Sequence, residues 1–186
     1  MLFAEVCGYE LGSPKLDVNL LAQNYGVFAK RPDASRLFFC IHSYYATLIK
    51  LLAAEIITFY SASYMPSYLG GLEALHPNKL GEELAKLEEG GIFRQMGVRN
   101  FLEGDFFAWY LEVWSYDIGS AIQSIVRALR VYDPATVRVD PEQTRDLLKK
   151  LYQYLLPKKL RHDLGEYYTP DWLAELVLDE IGYNGE

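Results

Sequence analysis

Two cysteines, Cys7 and Cys40, are all that the 186 residues contain. They are too few for a disulfide scaffold and lack metal-ligand spacing. With no signal-peptide pattern at the start of the chain, they suit a reducing cytoplasm. Positive charge is in deficit: 18 Lys and Arg against 25 Asp and Glu give a formal net charge of −7. Affinity for a phosphate backbone comes mainly from Lys and Arg, so the chain as a whole is not built as a strong nucleic-acid binder. An uninterrupted membrane-length apolar run is missing too. The longest candidate, Leu37 to Tyr60, is broken by His42, Lys50 and Glu55, which a spanning helix tolerates poorly near its middle, so it reads as a core helix. Convincing strands, internal repeats and low-complexity segments are absent. So are Gly-Xaa-Gly-Xaa-Xaa-Gly, Gly-Lys-Ser/Thr, Cys-Xaa-Xaa-Cys and Gly-Xaa-Ser-Xaa-Gly, and with them the common nucleotide, redox and esterase signatures. The three histidines, His42, His76 and His162, have no motif-level nucleophile partner, which disfavours a stand-alone hydrolase.

What is present is apolar and aromatic. Hydrophobic residues make up 51% of the chain and aromatics 15%, including 15 tyrosines. That is a globular composition, sufficient for one domain with a core built largely of rings with polar edges. The periodicity is helical. Asp17 caps a short helix through Leu20, Leu21 and Tyr25, stopped by Gly26. Asp33 or Ser35 caps a central helix from Leu37 to Tyr60, whose stripe runs Ile41, Tyr45, Leu48, Leu52, Ile56 and Phe59 and which is apolar nearly all round. Ser61 to Asn78, rich in Ser, Gly, Pro and Tyr, reads as a long loop or flap. Leu80 to Glu89 is a short charged helix ended by Gly90-Gly91, and Phe93 to Glu103 is irregular. Asp105 to Tyr132 keeps the helical period for about seven turns, or about 42 Å, with Gly119 as a weak point. Asp140-Pro141-Glu142-Gln143 opens a further helix that Pro157 stops after Leu156.

The C-terminal stretch Gly165-Glu166-Tyr167-Tyr168-Thr169-Pro170-Asp171-Trp172 has the features of a helix entrance. Thr169 is placed to cap, Pro170 suits the first helical position, and Asp171 complements the dipole. Leu173, Leu176, Val177 and Ile181 continue at helical spacing, and Gly182 is a C-terminal stop. Two tyrosines beside a helix N-terminus, with a threonine hydroxyl, suit a small ligand that has an anionic end and a flat ring. On spacing alone a capped core helix accounts for the same residues. Upstream lies a basic island, Arg138, Arg145, Lys149, Lys150, Lys158, Lys159 and Arg161, set against Asp140, Glu142 and Asp146; a solvated helix face has this pattern as well.

The hexapeptide Gly165 to Pro170, with its lead-in Leu156-Pro157-Lys158-Lys159-Leu160-Arg161-His162-Asp163-Leu164, resembles the entry to the methylase domain of adenine-specific DNA methyltransferases of type I and type IIG restriction-modification and related phage-defence systems. In that family a Gly-Glu-(Phe/Tyr)-Tyr-Thr-Pro segment forms one wall of the S-adenosylmethionine pocket. The rest of the chain resembles, far more loosely, the helical region ahead of that domain. The resemblance implies a mainly α fold: an irregular helical bundle over 1–156, then the start of a Rossmann-like methylase domain at 157–186. It implies that Gly165, Glu166, Tyr167, Tyr168, Thr169 and Pro170 line the S-adenosyl-L-methionine site, with either tyrosine facing in. Lys158, Lys159 and Arg161 would touch DNA phosphate or brace the pocket.

The family's Asp-Pro-Xaa-Xaa-Gly-Ser-Gly type turn and its Asn-Pro-Pro-(Tyr/Phe) segment are not in this sequence. The expectation is therefore a fragment with no catalytic residue and no metal site, inactive alone, whose parent protein is a cytoplasmic enzyme that acts on DNA and docks a nuclease or specificity subunit, with no membrane role. The alternative is a non-catalytic helical interaction module.

Overall fold

The structure, a computed structural model, describes residues 17–28, 32–61, 66–99, 102, 106–131, 150, 153–154, 158, 161 and 169–183. Among them every regular element is helical and no strand occurs. The mainly α expectation holds at that level. The helix expected from Asp140 to Leu156 lies largely outside the described residues. The chain divides into two compact units, Met1–Phe39 with Leu147–Glu186, and Cys40–Asp146.

Helix α1, Val18–Asn24, is set by local chemistry at both ends. The Asp17 carboxylate accepts from the Leu20 amide at 3.0 Å, and Gly26 takes φ +68°. That left-handed turn lets the Gly26 and Val27 amides donate to the Gln23 and Ala22 carbonyls at 3.0 and 2.8 Å. These are the two closing bonds of a Schellman motif, which a side chain at Gly26 would strain. Helix α2, Ala34–Ser61, spans 28 residues and starts a turn earlier than its apolar pattern suggests. Asp33, rather than Ser35, caps it, accepting from the Arg36 amide at 2.8 Å.

The buried face of α2 is not the most apolar one. Ile41 and Leu48 are buried as expected, but Phe59 is exposed and Tyr45, Leu52 and Ile56 are only half-buried. Leu51, Ala54, Thr47, Lys50, Glu55 and Thr58 lie inside instead. Polar partners explain the rotation. The Lys50 ammonium donates to both oxygens of Glu88 at 2.8 and 2.9 Å, with side chains only 6% and 7% exposed. The Tyr110 hydroxyl donates to Glu88 Oε1 at 2.7 Å. The Trp109 indole N–H donates to Ser43 Oγ at 2.8 Å. A charge buried in a protein interior needs such partners, and their positions fix which side of the helix faces in.

Glu55 does the same for a helix that the sequence pattern hides. The expected loop from Ser61 to Asn78 contains α3, Tyr68–Glu73. Six residues with two glycines do not hold a helix by propensity. Glu55 reaches across from α2: its Oε1 accepts from the Ser67 hydroxyl and its Oε2 from the Leu69 amide, both at 2.8 Å. Ser67 Oγ in turn accepts from the Gly70 amide at 2.8 Å. A carboxylate at the positive end of a helix, satisfying its unpaired amides, is favourable for both charge and hydrogen bonding. One turn beyond Glu55 on α2, Thr58 is fully buried and its hydroxyl has no hydrogen-bond partner among the described residues. Tyr68 is half-buried; burial first, then the charges of Glu83 and Glu88, pushes its phenol well above the usual tyrosine range.

Helix α4, Pro77–Glu88, begins earlier than Leu80 because His76 Nδ1 accepts from the Asn78 amide at 3.4 Å and Pro77 fits the first turn. Pro77, Leu80, Leu84 and Leu87 are its buried side. Gly90, at φ +99°, turns the chain into α5, Gly91–Gln95, which Gly97 closes at φ +83°. The expected single helix from Asp105 to Tyr132 is two elements: a 3-10 helix, Phe106–Leu111, and α6, Tyr116–Leu129. Ser115 breaks the run. It is extended, at φ −143° and ψ 165°, and its Oγ accepts from the Ile118 amide at 3.3 Å. A capping bond of this kind competes with continued helix, and apolar spacing does not register it.

Gly119, expected to weaken the helix, is a contact point. A Cβ there would sit 3.1 Å from Pro77 Cβ and 3.2 Å from the Trp114 ring, and a Cβ at Gly81 on α4 would sit 2.7 Å from the same ring. Trp114 thus touches α4 and α6 where each lacks a side chain. α3 and α4 both pack on α6. Its buried face is Gly119, Ile122, Val126 and Leu129, and Gln123 Nε2 donates to the Leu75 carbonyl at 2.7 Å. Exposed ion pairs such as Lys86 with Glu83 are worth little each; Arg130 also pairs with Glu73.

Gly81→Ala is expected to lower stability by about 1–3 kcal/mol in urea unfolding, because overpacking against Trp114 outweighs the helix-propensity gain. Gly71→Ala, where an added Cβ meets nothing within 4 Å, is expected to stabilise by about 0.5–1 kcal/mol. Equal effects at both glycines would contradict the packing. For the buried pair, Lys50→Met is expected to cost about 3–5 kcal/mol by leaving Glu88 uncompensated. Adding Glu88→Leu should recover part of that loss; strictly additive losses would show that the two side chains do not interact.

Candidate functional site

The stretch singled out by its residues enters the described structure at Thr169. Pro170, at φ −58° and ψ 143°, is the residue preceding the first helical turn of α7, Asp171–Glu180. This corrects the expected cap. Pro170, not Thr169, occupies the cap position, and no side-chain capping bond accompanies it among the described residues. The cause is local. Pro170 is itself extended, so the helix begins one residue later than expected and the Pro170 carbonyl accepts its first bonds. The Leu173 and Ala174 amides both donate to Pro170 O at 3.0 Å. Those two N–H groups are therefore not the donors a ligand at this end would use.

The charge and exit of α7 follow the sequence. Asp171 lies in the first turn, where the dipole favours it. An anionic ligand group would compete with this carboxylate for the same partial positive charge, whereas an ammonium group would be drawn to it. Gly182 ends the helix at φ +68°. The Gly182 and Tyr183 amides donate to the Asp179 and Leu178 carbonyls at 3.0 and 2.9 Å, a Schellman closure like those at Gly26 and Gly97.

α7 has no buried residue. Trp172, Leu176, Val177, Leu178, Ile181 and Tyr183 are all exposed. The apolar stripe expected at Leu173, Leu176, Val177 and Ile181 is therefore surface; only Leu173 is even half-buried. Four carboxylates, on Asp171, Glu175, Asp179 and Glu180, and no basic residue accompany it. A helix with that charge is a poor surface for DNA phosphate.

Among the residues placed at the site from the sequence, Thr169 and Pro170 are both exposed. Gly165, Glu166, Tyr167, Tyr168 and Lys159 lie outside the described residues. Lys158 is exposed and Arg161 half-buried, both with helical backbone. Lys150, from the same basic island, is helical and exposed.

Elsewhere the polar residues serve structure. His42 stacks on Phe107 with ring centroids 6.5 Å apart, and His76 caps α4; His162 lies outside the described residues. No three His, Cys, Asp or Glu side chains converge as a metal-binding set among the described residues. α2 is long and apolar enough to cross a membrane by length and composition, yet half of that stretch is buried inside the protein and it carries the buried Lys50 and Glu55. Those two residues are what sequence reasoning undervalued: it noted their charge but not that it is directed inward. The available signal was that both charges lie inside the otherwise apolar run from Leu37 to Tyr60.

No family model matches the chain, and neither a curated protein nor a solved structure matches it.

Gly182→Ala is expected to open the end of α7. A left-handed alanine costs about 1 kcal/mol, so the Tyr183 amide, bonded to Leu178 O, should exchange its hydrogen roughly fivefold faster. An unchanged rate would contradict the closure at Gly182.

Proposed function

We propose that this chain is part of an S-adenosylmethionine-dependent, adenine-specific DNA methyltransferase of a restriction-modification or phage-defence system. It supplies the helical region and one wall of the cofactor pocket and is not catalytic alone. The observation that carries the reading is the sequence Gly165-Glu166-Tyr167-Tyr168-Thr169-Pro170 behind Pro157-Lys158-Lys159-Leu160-Arg161. The lead from Thr169 and Pro170 straight into a helix N-terminus is compatible with a ligand wall at that point. The exposed apolar side chains of α7 are surface that packing against a further layer would remove from water.

In this reading Gly165 to Pro170 line the cofactor site. One tyrosine ring packs against the cofactor, and the Thr169 region makes polar contacts to its amino-acid end. The target adenine leaves the duplex for methyl transfer. Lys158, Lys159 and Arg161 contact DNA phosphate or brace the pocket. The negative surface before Arg138 serves packing rather than DNA contact, as in docking of a nuclease or specificity subunit. The setting is cytoplasmic.

The alternative, a non-catalytic helical interaction module, is favoured by one observation: the same exposed face of α7 suits a partner chain. The coding sequence beyond Glu186 separates the two readings. The methyltransferase reading expects a strand, a Gly-Xaa-Gly turn and, later, Asn-Pro-Pro-(Tyr/Phe). A frame that ends there, with no methylase gene beside it, favours the module. Calorimetry of this chain with S-adenosylmethionine is expected to show no binding; tight binding would contradict a pocket with a single wall.

A further inference from the structure

We draw no further inference here: the strongest candidate, the exposed apolar face of α7 formed by Trp172, Leu176, Ile181 and Tyr183, has nothing in the structure to show what covers it.

Discussion

The bidentate contact of Lys50 with Glu88 is the constraint on which the Cys40–Asp146 unit is arranged. It joins the middle of α2 to the last turn of α4 through two groups that are almost completely removed from water. Neither ion is tolerable there without the other. Tyr110 adds a third donor from the 3-10 helix, so three elements distant in sequence meet on one carboxylate. An apolar core specifies volume; a buried ion pair also specifies rotation, because only one helical face can present the ammonium. That is why α2 turns Lys50, Thr47 and Leu51 inward and leaves Phe59 and Tyr60 toward water.

Glu55, five residues along the same helix, extends the arrangement. Its carboxylate anchors the first turn of α3 through Ser67 and Leu69, and α3 then packs on α6. Near the start of α6, Gly119, together with Gly81 on α4, admits Trp114 between the helices. The polar anchors thus decide where helices start and which way they face, while the glycines decide how closely they approach.

Most helix ends were legible in the sequence because they rest on contacts within a few residues. Asp17, Asp33, Gly26 and Gly182 act where their chemistry places them. What escaped was of two kinds. α3 depends on Glu55, so its cause lies 12 to 14 residues away and no local window contains it. The break at Ser115 rests on one hydroxyl inside a run whose apolar spacing is uninterrupted. At the candidate site, the position of the helix was legible but its cap was not, since Pro170 takes the extended angles of the cap itself rather than those of the first helical residue. The apolar period of α7 was read correctly as a pattern; a pattern does not say whether the face it defines is covered.

The functional reading rests on the residues that lead into α7, proposed as one wall of a cofactor pocket. Its central claim is that those residues serve methyl transfer to adenine. The most direct test uses the intact parent protein, duplex DNA and S-adenosylmethionine carrying a tritiated methyl group. The account predicts label at adenine N6, lost or greatly reduced when Tyr167 and Tyr168 are replaced by alanine while the helical content is retained. No transfer by the folded intact protein to any duplex, or transfer indifferent to both substitutions, would contradict it.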